Sequence, residues 1–278
     1  DFTVPLPLVP LVGALAGLAF GALFGSFSTN RAGTVFAMIS LGIGEMIASS
    51  SLIFSKFSGG EEGITADRTS AMPFLGLEFA REIEVYYMIG GWMILAVWLM
   101  YKYSRTPVGR LANAVRDNPE RAEFVGYSQK HIRFISFSAS GMFSGIAGAL
   151  FAVNYEIVTE ETVNGVTSAV VLLQAYIGGV GFFFGPIVGA VVFTLMQTLL
   201  SNYTEIWAFY VGIAFVATVM YAPFGLTGLI MMHIPIAQAG RMGKLILPYI
   251  KIGVPSMVCG LGFIGTMELF HFMGERAI

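Results

Sequence analysis

The run Leu6-Pro7-Leu8-Val9-Pro10-Leu11-Val12-Gly13-Ala14-Leu15-Ala16-Gly17-Leu18-Ala19-Phe20-Gly21-Ala22-Leu23-Phe24-Gly25-Ser26-Phe27 carries no charge, and its reading decides the fold class. At a rise of about 1.5 Å per residue, about twenty apolar residues make a helix that crosses a hydrocarbon core of roughly 30 Å. Gly13, Gly17, Gly21 and Gly25 recur every four residues along the run, on one face of that helix. A groove of this kind admits the backbone of a neighbouring helix, a main source of helix association in lipid. The spacing therefore predicts a tight helix contact along these four glycines.

The pattern continues outward from this run. Of 278 residues, 56% are hydrophobic and 12% charged, against roughly a quarter charged in an ordinary soluble domain. Further apolar blocks stand at 32–54, 85–101, 135–155, 166–184, 186–200 and 206–221. The expected fold is an all-α polytopic membrane protein with seven membrane helices. An eighth stretch, 252–272, contains Pro255 and ends near Glu268 and His271, and either spans or lies in the interface. The expected organisation is a transmembrane domain over 1–230 and a C-terminal extension over 231–278. The chain begins at Asp1 without a signal peptide, so an amino-terminal part with further helices is expected to be missing. A net charge of −2 gives no basic field for nucleic acid. The single cysteine, Cys259, in an apolar stretch, reads as a small buried hydrophobe.

Charge asymmetry orients the chain. Residues 102–133 hold Lys102, Arg105, Arg110, Arg116, Arg121, Lys130 and Arg133, and basic loops stay in the cytoplasm. Residues 55–84 are acidic, and the loop with Glu156, Glu160 and Glu161 has no Lys or Arg, so both are expected outside. Arg241, Lys244 and Lys251 return the chain to the inner face.

No P-loop, paired-histidine zinc helix, Gly-x-Ser-x-Gly elbow or Cys-x-x-Cys is present, and no catalytic or metal-ligating residue is expected. His131, His233 and His271 lie at helix ends or in loops without an acid pair. Gly179-Val180-Gly181 lacks the βαβ setting of a dinucleotide loop. What remains is a polar pathway, an assembly surface, or both. Glu45, near the middle of its block, is the sharpest residue, because a lone carboxylate in hydrocarbon marks either a functional site or a buried pair. Gly178, Gly179 and Gly181 interrupt an apolar stretch closed by Gly185-Pro186, an arrangement tolerated only inside protein or beside a water-filled cavity.

In the basic loop, Thr106 can cap a helix opened by Pro107, with Leu111, Ala114 and Val115 on one face. Asp117 and Asn118 stop that helix, and Pro119 opens a second with Glu120 and Glu123 near its positive end. Two short amphipathic helices here suit a docking surface for a soluble partner, or lie at the lipid headgroups.

The stretch Val108-Gly109-Arg110-Leu111-Ala112-Asn113-Ala114-Val115-Arg116-Asp117-Asn118-Pro119, followed by Gly126, resembles the cytoplasmic loop of the LivM-like permeases of branched-chain amino acid ABC importers. Three further stretches agree with that family in order. They are Phe36 to Glu45 with Gly59-Gly60-Glu61-Glu62-Gly63-Ile64, then Ile177 to Gly181 with Gly185 to Ala190, and Ala222-Pro223-Phe224-Gly225-Leu226. The resemblance implies that Gly109, Arg110, Ala114, Arg116, Asp117, Asn118 and Pro119 form a coupling segment seated on an ATP-binding subunit. It implies a half-pore paired with a second, LivH-like permease, two ATPases and a periplasmic solute-binding protein, in the bacterial inner membrane. ATP and Mg would belong to the partner subunits, with no cofactor in this chain. Two departures stand out: the Gly-Gln-x-Ser-like motif of family members is not found, and the tail beyond Met232 extends past the family core.

The reading that follows is a non-enzymatic transport subunit for an amino acid or related small carboxylate. A self-contained secondary carrier or channel, with Glu45 and the broken glycine segment as an ion-coupled site, is the alternative from another class. A membrane-embedded enzyme would need an acid-base or metal constellation that these residues do not supply.

Overall fold

The computed structural model describes residues 4–68, 79, 81–222 and 224–240, then 243, 245, 248–251, 253, 255, 262, 265–267, 269, 272 and 273. Cys259, Glu268 and His271 lie outside the described residues, as does most of the 252–272 stretch. The chain groups into two compact units, 1–170 and 171–278.

The first unit is built from four long helices: α1 (Val9–Ser28), α2 (Thr34–Ile53), α4 (Glu82–Arg105) and α7 (Gln129–Tyr155). Between them lie the single turn α3 (Ser55–Ser58) and the short helices α5 (Pro107–Asp117) and α6 (Pro119–Phe124). A 3-10 turn over Leu6–Leu8 lengthens α1 into an apolar span of 23 residues. Helix ends in lipid must satisfy their own carbonyls. At the end of α1 the Ser26 carbonyl accepts from the Asn30 side-chain amide at 2.9 Å and the Ser28 carbonyl from the Arg31 amide, while the buried Ser28 and Thr29 hydroxyls donate back to the Phe24 and Gly25 carbonyls. Helix α4 carries Glu82 and Glu84 in its first turn and Lys102 and Arg105 in its last, each sign matched to the helix dipole.

The glycine face of α1 meets α7, and α7 answers with small residues of its own. A Cβ on Gly13 would fall on the Gly145 carbonyl and stand 2.6 Å from Ala149 Cβ, and one on Gly141 would stand 2.6 Å from the Gly17 carbonyl. Further along, Gly21 faces Ser138 and Gly25 faces the Phe137 ring. The partners descend along α7 as the glycines ascend along α1, so the two helices run antiparallel. The contact expected from the four-residue spacing is formed in full.

At one end of this unit, β1 (Ile64–Thr65) pairs antiparallel with β2 (Ile157–Val158). Arg68 Nε lies 3.0 Å from Glu156 Oε1 beside the pair. Two connections expected on the same side of the membrane are thus joined at the acidic end. The basic 102–133 segment stands at the opposite end of α4 and α7.

Past residue 170, α8 (Gly165–Gly178) is followed by α9 (Gly185–Ser201), α10 (Trp207–Tyr221) and α11 (Gly225–Gln238). Helices stand at all seven expected places, and the described residues bear out several candidate spans without confirming seven. Among the described residues four helices are long and apolar enough to cross, or five if α10 and α11, bent by 47°, form one span. Helix α8 has 14 residues and α9 has 17, which gives lengths of about 21 and 26 Å, short of a bilayer core.

Candidate functional site

Three places in the chain hold the residues singled out by the sequence. The first is the basic end. Thr106 caps α5, its hydroxyl oxygen accepting from the Gly109 amide at 3.3 Å, and Pro107 fills the first helical position. Asn118 ends α5 and caps α6, its side-chain oxygen accepting from the Arg121 amide at 3.0 Å, with Pro119 next. Gly109 is buried where α4 turns into α5, and a Cβ there would stand 2.5 Å from the Tyr103 carbonyl.

Val115, Ala122 and Ile132 form a small core that Leu111 and Ala112 extend, seating the helix pair on the first turns of α7. One expectation is corrected here. Ala114 is exposed, and Ala112 takes its place on the packed face, because the line from α5 to α7 runs through positions 111, 112 and 115. Arg110, Arg116, Asp117 and Asn118 also face outward, and Pro119 is partly buried. Arg116 Nε and Asp117 Oδ1 lie 3.1 Å apart with side chains 58% and 69% exposed. An exposed pair of this kind adds about 0–1 kcal/mol and leaves both charges within reach of a partner.

Sequence reasoning missed the tip of this structure. Phe124 is 91% exposed and Val125 70%, next to Gly126 at φ +92°. The signal was present in an apolar pair that directly follows the acids of α6 and precedes a glycine.

The second place surrounds Glu45. Its side chain is exposed on α2, and it has no hydrogen-bond or ion-pair partner among the described residues. A Cβ built on Gly165, the first residue of α8, would stand 2.5 Å from Glu45 Oε1. Asn164 caps that helix by accepting from the Thr167 amide at 3.0 Å. The carboxylate therefore sits beside the positive end of α8, a favourable place for an anion, and glycine at 165 leaves room for it.

The third place is the glycine break. Helix α8 ends at Gly178, Gly179 takes φ +109°, and two tight turns lead into α9 at Gly185. Gly178 and Gly179 are buried. A Cβ on Gly178 would stand 2.7 Å from the Gly189 amide nitrogen, and one on Gly225 2.7 Å from the Gly178 carbonyl carbon. Three chain segments thus meet backbone to backbone. Gly181 does not join them; it is exposed, with no atom within 4 Å of a Cβ position.

An open groove of about 1530 Å³ between α4 and α7 was not anticipated. Tyr86, Tyr87, Gly90, Gly91, Phe151 and Asn154 line it, with Arg68 and Glu82 at its acidic end. The adjacent tyrosines followed by a glycine pair within one turn of α4 are its trace in the sequence.

Long apolar helices joined through small residues, with a capped helix pair docked at one end, make an all-α protein with several helices fit to cross a membrane. The chain belongs to the family described as branched-chain amino acid transport system, permease component, which it matches over residues 2–223. It is 28% identical over 253 residues to the high-affinity branched-chain amino acid transport system permease protein LivM of Salmonella typhimurium. Identity to the protein of the same name from Escherichia coli is 26%. Each alignment covers 81% of this chain and 57% of the relative, so the chain spans little more than half the length of these proteins. A probable branched-chain amino acid transport permease protein LivH of Methanocaldococcus jannaschii is 26% identical over 241 residues, or 80% of this chain and 73% of that one. No solved structure matches the chain.

Proposed function

We propose that this chain is a permease subunit of an ATP-driven, binding-protein-dependent importer of branched-chain or related amino acids in the bacterial inner membrane. It forms a half-pore beside a second, LivH-like permease. Two ATP-binding subunits, which hold ATP and Mg, supply the hydrolysis, and a periplasmic binding protein delivers the solute. The chain itself carries no reaction.

The observation that supports this best is the α5–α6 pair. Caps and prolines fix both of its helix starts, a small core seats it on α7, and it turns Arg110, Arg116, Asp117 and the Phe124 side chain away from the fold. A surface that is rigid beneath and charged and aromatic above suits a protein partner better than the polar face of a helix lying on lipid. Glu45 and the Gly178-Gly179 break, with Gly181 beside it, serve the translocation pathway.

The test is Arg116→Glu. Charge across an interface sets register and partner choice more than raw affinity. The subunit should accumulate and assemble, while transport and solute-stimulated ATP hydrolysis fall. Normal transport in a complex of verified composition would defeat the coupling role. The lone carboxylate at Glu45 favours the carrier reading, and solute uptake by the purified chain without any nucleotide-binding subunit would establish it.

A further inference from the structure

The turn between α1 and α2, the outer half of α5 and the first turns of α7 enclose a groove of about 360 Å³ at the basic end of the first unit. Three kinds of donor line it. Arg133 supplies a guanidinium group, and so does Arg116, whose Nε already donates to Asp117 Oδ1 at 3.1 Å. Arg133 is bound only by the neutral amide oxygen of Gln129, at 3.0 Å, and no carboxylate lies within ion-pair distance of it among the described residues. Ser136 supplies a hydroxyl whose oxygen is buried without a hydrogen-bond partner. Gly33 supplies the start of α2, a helix of 20 residues that no side chain caps. With φ +65° and nothing within 4 Å of a Cβ position, Gly33 leaves that helix end open.

Two guanidinium groups, a hydroxyl donor and an uncapped helix N-terminus make the donor set of a phosphate site. No Asp or Glu lines the groove itself, and the nearest carboxylate partner of its arginines is Asp117, exposed beside Arg116. The depth of the groove specifies the source of the phosphate. Gln129, Lys130, His131 and Arg133 form the polar start of α7, and the apolar run begins at Ile135. Arg133 and Ser136 therefore straddle the level at which the helix passes from headgroups into acyl chains, and α2 enters its apolar span beside them. We infer that this groove holds the phosphate of an anionic phospholipid headgroup from the inner leaflet. The groove includes neither Glu45 nor the glycine break and does not depend on which solute is carried, and it shares Arg116 and Pro119 with the segment proposed above for the ATP-binding subunit. It places a lipid under the seat of α5, where basic pockets between membrane helices recognise such headgroups.

Native mass spectrometry of the full chain, purified in neutral detergent with its accompanying subunits and mixed with defined lipid, tests this. Phosphatidylglycerol should be retained in preference to phosphatidylcholine. Arg133→Gln should lower phosphatidylglycerol retention about fivefold, the effect of one basic residue at an anionic surface. Ser136→Ala, too small a change to threaten folding, should lower it by a smaller factor, and neither should alter retention of phosphatidylcholine. Equal retention of the two lipids, or unchanged phosphatidylglycerol in both variants, would overturn the proposal. So would bound inorganic phosphate without lipid, which would place the anion in the cytosol.

Discussion

Glycine does different work at different positions in this chain, and the contrast can be measured. Gly17 sits where any side chain would strike the Gly141 carbonyl, whereas Gly42 has open space around it. Gly17→Leu should destabilise the first unit by at least about 1–3 kcal/mol, the usual cost of overpacking. Gly42→Ala should be neutral or stabilising by up to about 1 kcal/mol, since a helix interior prefers alanine. Thermal unfolding in detergent checks both, and equal midpoints would show that the α1–α7 seam does not discriminate. Gly165 tests the carboxylate contact. Gly165→Ala should displace Glu45 from the α8 terminus and slow transport without loss of the folded protein, and an unchanged transport rate would remove Glu45 from the pathway. The four-residue repeat in α1 was legible because helical periodicity alone places it on one face. Its partner was not, since Gly141 and Gly145 lie more than a hundred residues away and nothing local links them to α1.

The elements were legible where local signals are strong. Thr106-Pro107 and Asn118-Pro119 fix both starts of the α5–α6 pair, because a cap and a first-turn proline act within four residues. The packed face was harder to read. Leu111 allows either Ala112 or Ala114 as its neighbour, and only the position of α7 decides. The break after α8 was legible as a break, but the share of each glycine depends on Phe224 and Gly225 from another segment. Gly179→Ala should therefore cost about 1–3 kcal/mol, as an alanine at φ +109° is strained and crowded by the Phe224 carbonyl. Gly181→Ala should lie within about 0.5 kcal/mol of the parent. The same unfolding assay distinguishes them, and similar losses would mean that Gly181 is packed.

Across the molecule, alternation of helices fixes which loops share a side. The β1–β2 pair joins 64–65 to 157–158, in agreement with the charge asymmetry that assigns both connections to the outside. A cysteine introduced at Asn113 should react with a membrane-impermeant reagent in inverted vesicles and not in intact cells. Labelling in intact cells would reverse the topology. The number of spans was the least legible property, because α8, α9 and α10 have only 14, 17 and 15 residues, and composition does not report where a helix stops. The α1–α7 seam also sets the order of events at the ribosome. Gly17 is made more than a hundred residues before Gly141, an interval of roughly 6–25 s at ordinary rates of synthesis. Throughout it the groove of α1 is in the membrane without its partner, so the chain depends on that nascent helix finding no other small-residue face before α7 arrives.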